Sequence, residues 1–367
     1  MQRFENQPLG PYPRLVVLGA AKLGNYVVLQ PLLRGLREKY PGGELTYVGS
    51  RRTAELERSN PWLHRALPLA ERGAEATAEL QRTLAGDPID LVINADGHAP
   101  HTSVWVDALR PRHVVGAAPL AGGHHPLQRL AADPHWADPA LVQRYSGWIG
   151  SNSIRELHCR VAWINTAFEQ VELPQEEPPA ALPEVWIAVN GERPAKLWPL
   201  EHWIALLGQM QTALGVDPRQ IGLIGGPPPR RPGPGDQLEK ALLAALPLQD
   251  QRGRLSLPQW VGVLARSRLC IAVDAGPLHL AAAAGCPTVA LFGTDGIGVG
   301  ASPRLLWAPR SPNVWLPSSP LRCSLCQEEH YRNAHCLLPE HLCMEELTPE
   351  VVWPQLLQAW AAAHPSR

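Results

Sequence analysis

One stretch of the chain gathers residue types that can hold an anion. Leu269 to Val273 is an apolar run with strand character, and Asp274 follows as a turn or helix-capping residue. Pro277 sits where a first helical turn tolerates proline, because its missing N–H has no intrahelical partner to lose. Leu278 to Ala284 reads as a helix of small residues stopped by Gly285 and Pro287, and Thr288 to Phe292 as a second apolar strand. Such a thin helix lets a ligand or neighbouring backbone come close. Its free N–H groups and positive dipole end, flanked by Asp274 and Gly276, point at the carboxyl end of a sheet, where open α/β sheets bind ligands. His279, near the start of that helix, reads equally as a residue facing a phosphate and as a core histidine.

Other chemistry-bearing residues are dispersed. Lys196 stands in a Gly- and Pro-containing loop after the strand Val185–Asn190, in a chain that is otherwise poor in lysine and rich in arginine. Gly19 and Gly24, with four residues between them, suggest a phosphate loop, but Asn25-Tyr26 replaces the required Lys-Ser/Thr and excludes it. His98 and His101 share a Pro-containing loop without an evident Cys or carboxylate partner, a poor metal set. Cys323, Cys326, Cys336 and Cys343 cluster with His330, His335 and His341 between them. Cys-x2-Cys fits one edge of a tetrahedral zinc site that the two later cysteines would close, though the spacing is not that of a standard finger. Structural zinc, a disulfide and free thiols all stay open.

The elements that must position these residues form two alternating strand–helix series. A chain of 367 residues exceeds one ordinary core, and 45% hydrophobic content suffices for two. The first series has strands at Arg14–Gly19, Glu44–Gly49, Asp87–Asn94 and His113–Gly116, with a helix from about Tyr26 to Lys39. Residues 117 to 150, rich in Pro, Gly and His, read as an irregular connection or as a ligand-contacting loop carrying His124, His125 and Trp136. A helical period runs from Ser153 to Phe168. Leu173 to Pro183 is the linker, which places a boundary near residue 180. The second series has strands at Val185–Asn190 and Gln220–Gly226 before the stretch described first. Helices are expected at Pro199–Leu214, around Gln237–Leu246 and Pro258–Ser267, and after Thr348 and Pro349.

A net charge of −1 and a pI near 6.9 argue against nucleic acid as a partner. No apolar run approaches the roughly 18 residues of a membrane span, and the N-terminus lacks an apolar signal segment. With seven cysteines, an odd number, a reducing compartment fits better than a disulfide scaffold. A cytoplasmic protein, with peripheral contact at the inner face of the membrane, is expected.

Asp274-Ala-Gly-Pro-Leu-His279, the small-residue helix and Thr288-Val-Ala-Leu-Phe-Gly293 resemble the nucleotide-sugar signature of glycosyltransferase family 9, the family of ADP-heptose:lipopolysaccharide heptosyltransferases. The usual Ser of that signature is Ala275 here. Three further stretches carry the resemblance: Leu23-Gly24-Asn25 against a Leu-Gly-Asp loop, Lys196 ahead of Trp198-Pro199 against a diphosphate-binding Lys, and the Gly225-Gly226 pair. The resemblance implies an α/β protein of GT-B architecture, two Rossmann-like domains facing a central cleft. It places an acceptor-side domain at 1–175, a nucleotide-sugar domain at 184–346 and a closing C-terminal helix at 347–367.

It also implies an inverting, metal-independent transfer of a heptose-like sugar from a nucleotide donor, ADP-linked, to a lipopolysaccharide or other surface glycan. Lys196, assisted by Arg193, would stabilise the diphosphate leaving group, with Gly225, Gly226, Asp274, Ala275, Gly276, His279 and Thr294 around the nucleotide sugar. No cofactor is required for catalysis. Lys22 and Gly24 belong to the acceptor loop, where the family's usual base is the Asp that Asn25 replaces. Inverting transfer needs a group that takes the acceptor hydroxyl's proton, which Asn25 cannot do. Asp96, at a strand end where the family often carries an Asp, is the substitute candidate; with Gly97 it also reads simply as a turn. The alternatives are a catalytically silent nucleotide- or glycan-binding homologue and a sugar epimerase of similar fold.

Overall fold

The computed structural model describes residues 1–19, 22–69, 73–86, 88–96, 100–178, 182–293 and 300–363. The chain divides into two compact units, Met1–Pro174 and Gln175–Arg367.

Among the described residues, each unit holds a six-stranded, all-parallel sheet. The first contains β1 (Gln2–Arg3), β2 (Arg14–Leu18), β3 (Glu44–Ser50), β4 (Arg65–Leu69), β5 (Leu91–Asn94) and β6 (His113–Gly116), in the order β1-β6-β5-β2-β3-β4. The second contains β7 (Val185–Ala188), β8 (Ile221–Leu223), β9 (Gln249–Asp250), β10 (Leu269–Val273), β11 (Thr288–Leu291) and β12 (Val314–Trp315), in the order β12-β11-β10-β7-β8-β9. Helices cover both faces of such sheets, so the central strands read as unbroken apolar runs rather than alternating ones. The five residues of β10 and the four of β5 are buried throughout.

In both sheets the strand order reverses once. The first unit runs β2, β3, β4 outward and returns to lay β5 on the other side of β2. The second runs β7, β8, β9 outward and returns to lay β10 beside β7. Loops leaving the carboxyl ends of the two strands at such a switch point diverge and leave room for a ligand. Leu18 pairs with Asn94 across β2 and β5, and Ala272 with Ala188 across β10 and β7. These two places carry the candidate site residues.

The core of the second unit is built on β7, β8, β10 and β11, with Trp198 and Trp203 fully buried beneath them, edge to face at 5.0 Å. The C-terminal helix Pro349–Ala362 buries Val352, Leu356 and Ala359 in that same core, and the Trp198 Nε1–H donates to the Leu347 carbonyl at 2.7 Å. The linker's second half also packs on this unit. The Glu176 N–H donates to Pro258 O, and Glu177 pairs with Arg266.

Several local expectations are corrected. His101, placed by the sequence in a Pro-containing loop, stands instead in a helix, Pro100–Leu109, edge to face on Trp105 at 5.0 Å. The first helix starts at Leu23 rather than Tyr26 and is followed by a second over Gln30–Lys39. The helix expected over 153–168 ends at Val161, where the chain turns through Trp163 with φ of 53°. The stretch 117–150 holds helices at Pro126–Ala132 and Leu141–Arg144. His125 caps the first of them, its Nδ1 accepting from the Leu127 N–H, and Trp136 Nε1–H donates to Leu130 O. Both side chains thus have structural tasks. Strands β1, β4, β9 and β12 went unread because each is short or lies at a sheet edge.

The helix Ile154–Val161 also carries a buried His158, its ring against Trp136 at 5.3 Å. Burial pushes the imidazole down to about 4. An unfolded histidine titrates near ~6.5, so the unfolded chain takes up this proton first as pH falls. The stability held by neutral His158 is therefore full above pH ~6.5 and lost as pH drops through the folded value of about 4, at about 1.4 kcal/mol per pH unit. Urea unfolding of the N-terminal unit at pH 7 and pH 4.5 checks this. The loss of stability between the two is expected to be about 2 kcal/mol smaller in His158→Phe than in the wild type. Equal losses would show that His158 does not set the acid limb.

Candidate functional site

The carboxyl ends of β7 and β10 bring Lys196 and Asp274 together. β7 leads through Val189 to Gly191 into a short 3-10 turn, Pro194–Lys196, and β10 runs directly into Asp274. Lys196 Nζ donates to Asp274 Oδ2 at 2.7 Å. Asp274 is almost fully buried, whereas the Lys196 side chain keeps 22% of its surface exposed. Burial opposes ionisation of Asp274. Lys196, His279 and a hydrogen bond from the Ser302 hydroxyl outweigh it and hold the carboxyl below the usual carboxylate range. A Cβ on Gly191 would come within 3.1 Å of the Lys196 Cβ, so glycine there leaves room for the lysine stem.

The small-residue helix spans Gly276–Ala283 with Ala275 as its cap residue. His279 is buried, its Nε2 lies 3.9 Å from Asp274 Oδ1, and its ring faces Trp307 edge-on at 6.5 Å. Its imidazole is turned into the protein beside the carboxylate. Lys196, Asp274, Gly276 and His279 thus form one group, an ammonium held by a buried carboxylate beside a helix start, which is a setting suited to a diphosphate. Thr294, placed with them by the sequence, lies outside the described residues.

Arg193 does not join this group. Its Nη1 donates to the Asn333 carbonyl at 3.0 Å and to Asn333 Oδ1 at 3.1 Å, its Nη2 to the Ala301 carbonyl, and its guanidinium lies over the Tyr331 ring. These bonds tie Arg193 into the loop framework around the turn that carries Lys196. The glycine pair after β8 is also reassigned. A Cβ on Gly225 would press on Arg252 and Glu239 at 3.3 Å, whereas one on Gly226 would meet open space. Arg252 is bonded to Asp250 at 2.8 Å and to Glu239 at 2.6 Å, and these bonds, Asp250 first, raise its pKa and keep it charged. Gly225 thus sits tightly against an ion-pair network that nothing in the local sequence pattern revealed.

In the first unit, β2 and β5 deliver the acceptor-side candidates to one sheet edge. Lys22 is exposed at the cap of the helix Leu23–Val28, whose first turn carries Gly24 and Asn25. The Ala95 N–H donates to the Leu18 carbonyl at 3.0 Å, which carries the β2–β5 pairing to the residue before Asp96. Asp96 N–H donates to Asn94 Oδ1 at 3.3 Å, and its carbonyl accepts from Thr102 Oγ1 at 3.1 Å. Tyr47, on β3 next to β2, is buried, and its hydroxyl has no hydrogen-bond partner among the described residues. Burial first, then Glu57, Tyr26 and Asp96, push its ionisation far up, which puts the Asp96 carboxylate within electrostatic reach of that phenol. His98 lies outside the described residues.

Of the three states left open for the cysteine cluster, the structure shows free thiols. Cys323, Cys326, Cys336 and Cys343 are free thiols, and among the described residues no three His, Cys, Asp or Glu converge to hold a metal ion. The sulfurs have other partners: Asn333 Nδ2 donates to Cys326 Sγ at 3.2 Å, and Cys336 Sγ donates to the Glu340 carbonyl at 3.7 Å. Burial, and beyond it the neighbouring Cys336, Cys326 and Cys323, push the Cys343 thiol up to about 12.

Comparison with known proteins adds to this geometry. Residues 78–336, more than half of the chain, match the family model described as glycosyltransferase family 9 (heptosyltransferase). The chain is 27% identical to lipopolysaccharide heptosyltransferase 1 of Pseudomonas aeruginosa over 370 aligned positions, covering 94% of this chain and 97% of that one. In fold it is similar to a family 9 glycosyltransferase from Veillonella parvula, with a TM-score of 0.64, 16% identity and coverage of 96% and 98%. It is also similar to the E. coli heptosyltransferase WaaC with ADP-2-deoxy-2-fluoro heptose, with a TM-score of 0.57, 19% identity and coverage of 94% and 99%. Two parallel α/β sheets in one chain are the GT-B fold of these structures.

Proposed function

The chain belongs to glycosyltransferase family 9, and from that premise we propose that this glycosyltransferase moves a heptose-like sugar from an ADP-linked donor to a lipopolysaccharide-type acceptor, with inversion and without a metal. The observation that carries the reading is the Lys196–Asp274 pair at the switch point of the second sheet. As the glycosidic bond to the diphosphate breaks, negative charge builds on the leaving oxygen. A pre-positioned ammonium meets it without reorganising. Asp274 aims Nζ. The ADP-heptose analogue bound by the WaaC relative and the lipopolysaccharide role in the name of the Pseudomonas relative support this donor and acceptor.

On the acceptor side Asp96 is the base. Asn25, at the position where the family uses Asp, can orient an acceptor hydroxyl but cannot take its proton. Among the described residues no helix is long and apolar enough to cross a membrane, so a lipid-linked acceptor would be reached peripherally, at the inner face.

Purified protein incubated with ADP-heptose is expected to release ADP only when a heptose-accepting lipopolysaccharide core is added, and at the same rate with excess EDTA. Asn25 favours one second reading, a silent homologue. ADP binding without acceptor-dependent release would establish that reading and sink the transferase. A rate abolished by EDTA and restored by a divalent ion would remove the metal-independent step.

A further inference from the structure

The segment Cys323–Cys343 grips the turn that carries Lys196 at three points. Arg193 donates to both oxygens of Asn333. The Ala195 N–H donates to the Ala334 carbonyl at 3.0 Å, and the Ala195 carbonyl lies 2.7 Å from His341 Nε2. A carbonyl only accepts, so Nε2 carries the proton in that bond. The grip is itself held. Asn333 Nδ2 donates to the His335 carbonyl at 2.7 Å and to Cys326 Sγ. His330 and Tyr331 both take left-handed backbone, φ 51° and 56°, a costly conformation for such side chains, stabilised by the Tyr331 N–H donating to Cys326 O at 2.7 Å. Through that turn the chain reaches Asn333.

We propose that this Cys/His-rich segment is a positioning brace for the donor-phosphate lysine, with His341 as its main positioning residue. The proposal rests on the reading of Lys196 as the diphosphate-binding group. Ala195 precedes Lys196 directly, and both polar groups of its backbone are bonded to the segment. The brace therefore fixes where the lysine stem starts, while Asp274 fixes where its ammonium ends. His341 reaches no donor atom in this account; it acts through residue 195.

Calorimetric titration of ADP and of adenosine tests it, on wild type, His341→Ala, His341→Gln, Asn333→Ala and Lys196→Ala, and on the His341→Ala/Lys196→Ala double variant. The loss of one positioning bond is expected to weaken ADP binding about fivefold in His341→Ala. Adenosine binding should stay at the wild-type value, and His341→Gln, which keeps an amide donor, should recover most of the ADP affinity. Adding His341→Ala to Lys196→Ala should weaken ADP no further, because the brace has then lost the group it positions. Asn333→Ala supplies the same reading if His341→Ala fails to fold. Wild-type ADP affinity in both His341→Ala and Asn333→Ala, beside a weakened Lys196→Ala, overturns the brace and leaves the donor site standing. Equal losses for ADP and adenosine overturn it too, since they mark a general loss of structure. An unaffected Lys196→Ala would remove the donor reading itself, and the brace with it.

Discussion

Lys196→Ala is expected to weaken ADP binding roughly 10- to 100-fold, as befits a charge-assisted bond to phosphate, and to cut turnover by about 10²–10³ because charge grows on the diphosphate in the transition state. Isothermal titration with ADP and steady-state transfer assays measure the two effects. The fold should also report the change. Asp274 is nearly fully buried and Lys196 is its ammonium partner at 2.7 Å. Removing one member of a wholly buried pair costs about 3–5 kcal/mol. Water reaches the lysine, so the expected loss here is smaller, about 1–2 kcal/mol. The pH dependence gives the sign. Asp274 titrates below its ordinary value in the wild type, so its contribution is present above pH ~3.9 and is lost as pH falls through the folded value. Without Lys196, burial is opposed only by His279 and Ser302, the carboxyl's pKa rises, and that acid limb should shrink in melting curves taken between pH 3 and pH 7. Adding Asp274→Asn to Lys196→Ala separates the two roles. The double variant should regain stability, since no unpaired carboxylate stays buried, without regaining ADP affinity. ADP affinity within threefold of wild type in Lys196→Ala would refute the assignment.

The core of this site was legible because its parts lie on long, strongly patterned segments. Residues 269–291 carry their strand–helix–strand order in apolar runs, a proline and a glycine, and the structure places β10, the Gly276–Ala283 helix and β11 there. That fixes where Asp274 and His279 must stand. Lys196 was found by its scarcity and its loop, and its pairing with Asp274 follows from β7 and β10 being adjacent. What stayed hidden depends on contacts between distant residues. Nothing near Gly225 in the sequence announces Arg252 and Glu239, and nothing near Arg193 announces Asn333. Arg193 was placed beside Lys196 as an assistant at the diphosphate, but here backbone and amide oxygens from the later segment accept from its guanidinium. Ser302 was invisible for the same reason. The state of the cysteines could not be read from their spacing, because the partners of two sulfurs, an amide and a carbonyl, are set by how the segment folds. The edge strands, two residues long in β1, β9 and β12, hold too little pattern to read at all.

Asp96→Asn is expected to lower the transfer rate by about 10²–10⁴, the usual worth of a positioned general base, while leaving ADP affinity at its wild-type value because the donor residues belong to the other unit. The structure gives this carboxylate a fixed backbone, tied through Asn94, Thr102 and the Ala95–Leu18 bond to the switch point of the first sheet, at the edge where β2 leads toward Asn25. A base must be ionised to act, so the wild-type rate should fall at acid pH as Asp96 takes a proton, and in Asp96→Asn that limb should disappear along with most of the rate. The amide keeps the shape and hydrogen-bonding reach of the carboxyl, so a purely structural Asp96 would leave both rate and profile intact, and that result would sink the assignment. Asn25→Asp makes the complementary test. It restores a carboxylate at the position where the family keeps one, in the first turn of the Leu23–Val28 helix. If the acceptor hydroxyl comes to this edge of the sheet, Asn25→Asp should raise the wild-type rate and rescue Asp96→Asn, returning an acid limb with a different midpoint. Rescue would mean that the proton acceptor has moved from one strand end to its neighbour at the same switch point, which the β2–β5 pairing permits without any change of fold.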